Sequence, residues 1–103
     1  MDQTTLTLIG PAEMGRSLAD RVRALRLFRG WTRETLAQRA GVTVASLKRF
    51  ETTGKASLEL LLKTAHALAR LEEFATLLQP PPAQSIEELE RRAGKPAPKR
   101  GRI

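Results

Sequence analysis

Between residues 12 and 78 the apolar positions of this chain recur three or four apart, in short runs separated by single breaks, which is helical rather than strand spacing. From Ala12 to Arg29, the residues Met14, Leu18, Val22, Leu25 and Phe28 follow that period, with Arg16, Asp20, Arg23 and Arg26 between them. The pattern predicts an amphipathic first helix ended by Gly30. Thr32 is placed to cap a short second helix over 33–40, Thr43 a third over 44–51, and Ser57 a fourth. The fourth has a wide apolar face made of Leu58, Leu61, Leu62, Ala65, Leu68 and Ala69. A fifth short helix, carrying Leu71, Phe74, Leu77 and Leu78, is stopped by Pro80-Pro81-Pro82.

One stretch has strand period instead. In QTTLTLI, residues 3–9, Thr and Leu alternate before Gly10-Pro11, which predicts a short strand. A lone strand needs a partner, and a second copy offering the same strand is the simplest one. The organisation expected is therefore an arm or strand over 1–11, an all-α domain of five helices over 12–79, and a tail over 80–103. In the tail, SIEELERR (85–92) opens with a capping box, Ser85 with Glu88, yet is too short to hold a helix in isolation. The AGKPAPKRGRI that follows is basic and rich in Pro and Gly, and is expected to be flexible and disordered.

Charge narrows the choice of partner. Eighteen Lys and Arg against eleven Asp and Glu leave a formal charge of +7 in 103 residues, which favours anionic ligands such as nucleic acid or acidic proteins. The absence of Cys excludes disulfides, thiolate metal sites and thiol nucleophiles, and suits a reducing cytoplasm. His66 is the only histidine, Asp2 and Asp20 are the only aspartates, and no paired carboxylates, phosphate loop or metal-ligand cluster stands out. Catalysis, a metal and a cofactor are therefore not expected. No signal-like start and no long apolar run suggests a membrane, so a cytoplasmic, nucleoid-associated protein is expected.

The most specific feature is LAQRAGVTVASLKRFE, residues 36–51: two helical pieces broken at a glycine. A helix, a tight turn and a second helix crossing it steeply make a helix-turn-helix. Its requirements fall in sequence. Ala37 is small where the two helices come closest, Gly41 allows a positive φ at the turn, and Val42 plugs the turn from the core side. Leu47 and Phe50, three apart, face inward with Leu36 and Ala40, so Val44, Ala45, Ser46, Lys48 and Arg49 are left facing out.

On these residues the chain resembles the Xre/Cro/phage-repressor family, lambda-repressor-like helix-turn-helix domains, along GWTRETLAQRAGVTVASLKRFE and the following GKASLELLLKTAHAL. The likeness covers roughly residues 14 to 78. It departs at the start of the second helix, where the family often has Gln and this chain has Arg33. Further details, RFETTGKASLE, FATLLQPPP, SIEELERR and the basic end, resemble HipB-like antitoxins that accompany HipA-like kinase toxins. That likeness implies a homodimer that represses its own operon from a palindromic operator and binds the kinase.

The resemblance also implies how DNA would be read, with the N-terminal residues of the recognition helix on base edges. Val44, Ala45 and Arg49 are then the base-contacting candidates, Arg49 by a bidentate pair with guanine and the other two by packing on thymine methyl groups. Arg33, Thr43, Ser46, Lys48, Thr53 and Lys55 are the phosphate-contacting candidates. Leucines in excess of one small core, Leu60 beside Leu61 and Leu62 and those of the fifth helix, are read as dimer interface. Two other readings stay open: a stand-alone phage-type or restriction-controller repressor, and a protein-binding adaptor on a helix-turn-helix scaffold.

Overall fold

Hydroxyl side chains set three of the helix starts. In the computed structural model, which describes residues 9–82 together with 90, 91 and 93, the helices are α1 (Pro11–Phe28), α2 (Arg33–Ala40), α3 (Val44–Thr53) and α4 (Leu58–Ala67). Thr32 Oγ1 accepts from the Thr35 amide at 3.1 Å, Thr43 Oγ1 from Ser46 at 3.0 Å, and Ser57 Oγ from Leu60 at 3.1 Å. Each satisfies one of the amide donors a helix start leaves open. α1 begins instead at Pro11, whose fixed φ suits a first helical position and whose missing N–H is no loss there.

The core is built where these helices cross. α1 packs on α3, and α2 packs on both α3 and α4. Ala19 and Val22 of α1, Leu36 and Ala37 of α2, Leu47 and Phe50 of α3, and Leu60 of α4 with Leu68 just beyond it form one buried cluster. Val42 is half-buried against it at the turn.

Three expectations need correction, and a fourth, the N-terminal strand, lies almost wholly outside the described residues. Up to residue 78 there are four α-helices, not five: Leu71–Phe74 is a single 3-10 turn, followed by turn structure. Ala69 is left-handed at φ 60° and Leu78 at φ 57°, and Pro80 bars helix from the residue before it, so too few residues remain to carry a nucleus. No strand occurs among the described residues; residues 3–8 of the expected strand lie outside them, and Ile9 is not in a strand. In the tail, Glu90, Arg91 and Ala93 are helical, and the remainder of 83–103 lies outside the described residues.

The second correction concerns the face of α1. Met14 is exposed and Phe28 is 88 % exposed, whereas Arg26, read as a polar position, is buried. The face that meets α3 runs through Gly15, Ala19, Val22 and Arg26, four, three and four apart, so the packing stripe lies beside the apolar one. The third is Leu60, which is buried core rather than surplus, while Leu58 is two-thirds exposed.

Small residues on α1 bring its backbone against the end of α3. A Cβ on Gly15 would lie 2.6 Å from the Gly54 carbonyl oxygen, and a Cβ on Gly54 would lie 2.7 Å from the Arg16 amide nitrogen. Gly54 also holds φ +79°, where it ends α3. Gly41 ends α2 at φ +73° in open space, with no atom near its absent Cβ. Alanine at Gly41 therefore meets backbone strain alone, and a loss of about 1 kcal/mol is expected. Alanine at Gly54 meets the strain and a backbone clash together, and about 3 kcal/mol is expected. Urea unfolding of the two variants side by side measures the difference; equal losses would remove the role given to the α1 contact.

Candidate nucleic-acid interface

α3 divides cleanly. Leu47, Phe50 and Glu51 are buried, while Val44, Ala45, Ser46, Lys48, Arg49 and Thr52 are exposed on its other side. The three base-contacting candidates, Val44, Ala45 and Arg49, thus share one outward surface, with Ser46 and Lys48 beside them. At its start, Thr43 is engaged in the cap, and its hydroxyl also donates to Ser46 Oγ at 2.8 Å. At its end, Thr53 Oγ1 donates to the Arg49 carbonyl at 2.6 Å and accepts from the Lys55 amide at 3.1 Å. Thr53 therefore shapes the turn out of α3, and Lys55 lies on that turn with its side chain exposed. Ala37 and Leu47 are buried beneath this surface, Phe50 with them, and Gly41 sits at the turn between α2 and α3.

Arg33 has a partner that the sequence alone does not suggest. It opens α2, and its Nε donates to Glu51 Oε1 at 3.0 Å; its side chain is 30 % exposed. Glu51 has a wholly buried side chain and also receives Arg26, through Nε at 2.9 Å and Nη2 at 2.9 Å. The remaining Arg26 Nη1 donates to the Trp31 carbonyl at 3.0 Å. Burial alone would push the Glu51 carboxyl up, but the hydrogen bonds and charges of Arg26 and Arg33 outweigh it and hold it below its ordinary value. The hydrogen bond to Glu51 likewise raises Arg26.

This cluster ties the first turn of α2 and the last turn of α1 to the C-terminal half of α3, so it fixes how α3 stands out from the domain. Sequence reasoning missed Glu51 and Arg26. A signal was present, because Glu51 falls one residue after Phe50 and four after Leu47, on the face that had to point inward.

Two further cations are engaged away from this surface. The guanidinium carbons of Arg29 and Arg39 lie 5.0 Å and 4.6 Å from the centroid of the Trp31 ring. Arg29 Nη2 also donates to the Leu68 carbonyl at 3.1 Å, beyond the end of α4. His66 is exposed on α4. Among the described residues no group of three or more His, Cys, Asp or Glu could hold a metal ion, and no helix is long and apolar enough to cross a membrane.

A two-helix unit with a glycine turn, a buried inner face and a polar, cationic outer face on its second helix defines a helix-turn-helix protein. A family model described as a helix-turn-helix domain matches residues 17–84 of the 103, and the chain belongs to that family. The match supports the Xre-like resemblance and places the chain in the class of DNA-binding regulators. No curated protein and no solved structure matches the chain.

Proposed function

We propose that the protein is a sequence-specific repressor that binds a palindromic operator in double-stranded DNA as a homodimer. The observation that carries this reading is the outward face of α3, where Val44, Ala45 and Arg49 stand exposed over a rigidly paired base. In this reading those three contact bases, and Arg33, Thr43, Ser46, Lys48, Thr53 and Lys55 position the duplex through phosphates. The DNA-binding unit is 12–79, with the arm 1–11 and the tail 80–103 attached to it. Two such units are needed because one makes few phosphate contacts, and half-sites one helical turn apart serve a two-fold dimer. Exposed Leu71, Leu77 and Leu78, with Phe28, are the surface on which a second copy would bury apolar area.

The same reading makes the protein the cytoplasmic antitoxin of a HipA-like kinase toxin, autoregulating its operon. It is supported by the likeness of the RFETTGKASLE stretch and of the acidic segment 85–92 to HipB-like antitoxins. It requires such a kinase to be encoded in the same operon.

The test is fluorescence anisotropy on the duplex upstream of the protein's own gene, beside a scrambled duplex, at two salt concentrations. A preference of about 10³-fold that survives the higher salt is expected. Equal binding that vanishes with salt on both duplexes would mean that the +7 charge merely attracts phosphate. That outcome would favour an adaptor whose ligand is a protein, a reading that rests on Val44 and Ala45 offering no hydrogen bonds to bases.

A further inference from the structure

We infer that Glu51 is a positioning residue for DNA binding: its buried carboxylate holds Arg33 so that the outer edge of the guanidinium meets a backbone phosphate. The inference rests on the reading that the α3 face meets DNA, and three observations carry it.

The first is charge. Arg26 alone neutralises Glu51, by a bidentate pair at 2.9 Å and 2.9 Å, so Arg33 adds a cation beyond what the buried carboxylate needs. The second is the edge in use. Arg33 is bound through Nε, and its two Nη groups make no hydrogen bond to any described residue. The third is place. Arg33 remains part-exposed and lines an open depression with Thr32, Glu34, Val44 and Lys48. That depression joins the start of α2 to the first turns of α3, where a duplex lying on Val44 and Lys48 would bring its backbone.

An arginine on a free surface must be immobilised when it takes a phosphate. Arg33 has been immobilised by folding, so the ordering cost does not fall on binding. Its planar fork lets one edge serve the carboxylate while the other serves an anion. Lysine, a point charge, cannot divide itself in that way.

The test is anisotropy of the full chain on a mixed-sequence duplex of two helical turns across a series of salt concentrations. Circular dichroism melts accompany it. Arg33→Ala is expected to bind roughly 3- to 10-fold more weakly, with a log–log salt slope smaller by about one. Arg33→Lys is expected to share most of that loss, because its ammonium pairs with Glu51. Both are expected to melt within a few degrees of the wild type, since Arg26 keeps Glu51 paired. Glu51→Gln, measured where its dichroism is native, is expected to bind like Arg33→Ala; where it does not fold, the two Arg33 variants decide.

Wild-type affinity and slope in both Arg33 variants would overturn the inference and leave Arg33 a structural ion pair. A wild-type Arg33→Lys beside a weakened Arg33→Ala would overturn the positioning by Glu51, since bare charge would suffice. Native Glu51→Gln with undiminished affinity would do the same. If the wild type itself binds no duplex at low salt, the DNA-binding reading fails first, on grounds independent of Arg33.

Discussion

Glu51→Ala is expected to destabilise the domain by about 3–5 kcal/mol, the largest effect of any single substitution considered for this chain. The reason is what remains behind rather than what is lost. Arg26 is buried to 7 % exposure, and without the carboxylate its Nε and Nη2 face the interior of the domain with a full charge and no acceptor. A domain of this size holds about 5–15 kcal/mol in all, so the loss is a large fraction of its stability. Urea titration followed by circular dichroism measures it, and a loss below about 1 kcal/mol would show that Arg26 finds water or another acceptor.

Acid probes the same pair. The folded carboxyl of Glu51 lies below its ordinary value, so the unfolded chain takes up the proton more readily. The contribution is therefore complete above the ordinary glutamate value and is lost as pH falls through the lower folded value. Stability of the wild type should fall over that acid range, and in Glu51→Gln this part of the fall should be missing.

The second large effect concerns binding rather than folding. Arg49→Ala is expected to cut sequence preference roughly 5- to 150-fold, the loss of a bidentate pair of about 1–3 kcal/mol, while much of the salt-dependent affinity for random duplex survives. Stability should hardly change, because the Arg49 side chain is exposed and it is its backbone carbonyl, not its guanidinium, that bonds Thr53. Competition between operator and random duplex separates the two readings of this arginine. Equal loss on both would make it a phosphate contact and leave base reading to shape and to the two apolar residues.

The limits of α2 and the start of α3 were legible because their signals are local, Thr32, Gly41 and Thr43 each acting within a few residues of their own position, whereas α3 runs on past the expected residue 51 to Thr53, where Gly54 ends it. The outward face of α3 was legible by subtraction, once Leu47 and Phe50 had to be inside. What the pattern could not carry was pairing at a distance. An arginine counts as polar in any periodicity, yet Arg26 is buried because a carboxylate 25 residues away awaits it. The displaced stripe of α1 has the same origin, since Gly15 and Ala19 serve close approach rather than apolar area. Leu60 was misplaced because adjacent leucines on a short helix point to different sides, and only the position of α2 decides which side is core. The fifth helix failed for a local reason that the prolines announced, namely that the segment before them is too short to nucleate.

The indole of Trp31 is the only one in the chain, and it lies under two guanidinium groups drawn from different elements, one of which also bridges to the end of α4. The molecule therefore carries its own optical reporter at the seam of α1, α2 and α4. Opening that seam strips both cations from the ring and hydrates it together, so its emission follows the integrity of the scaffold. Loss of the fold can therefore be followed on unlabelled protein, with no probe attached to the outward face of α3.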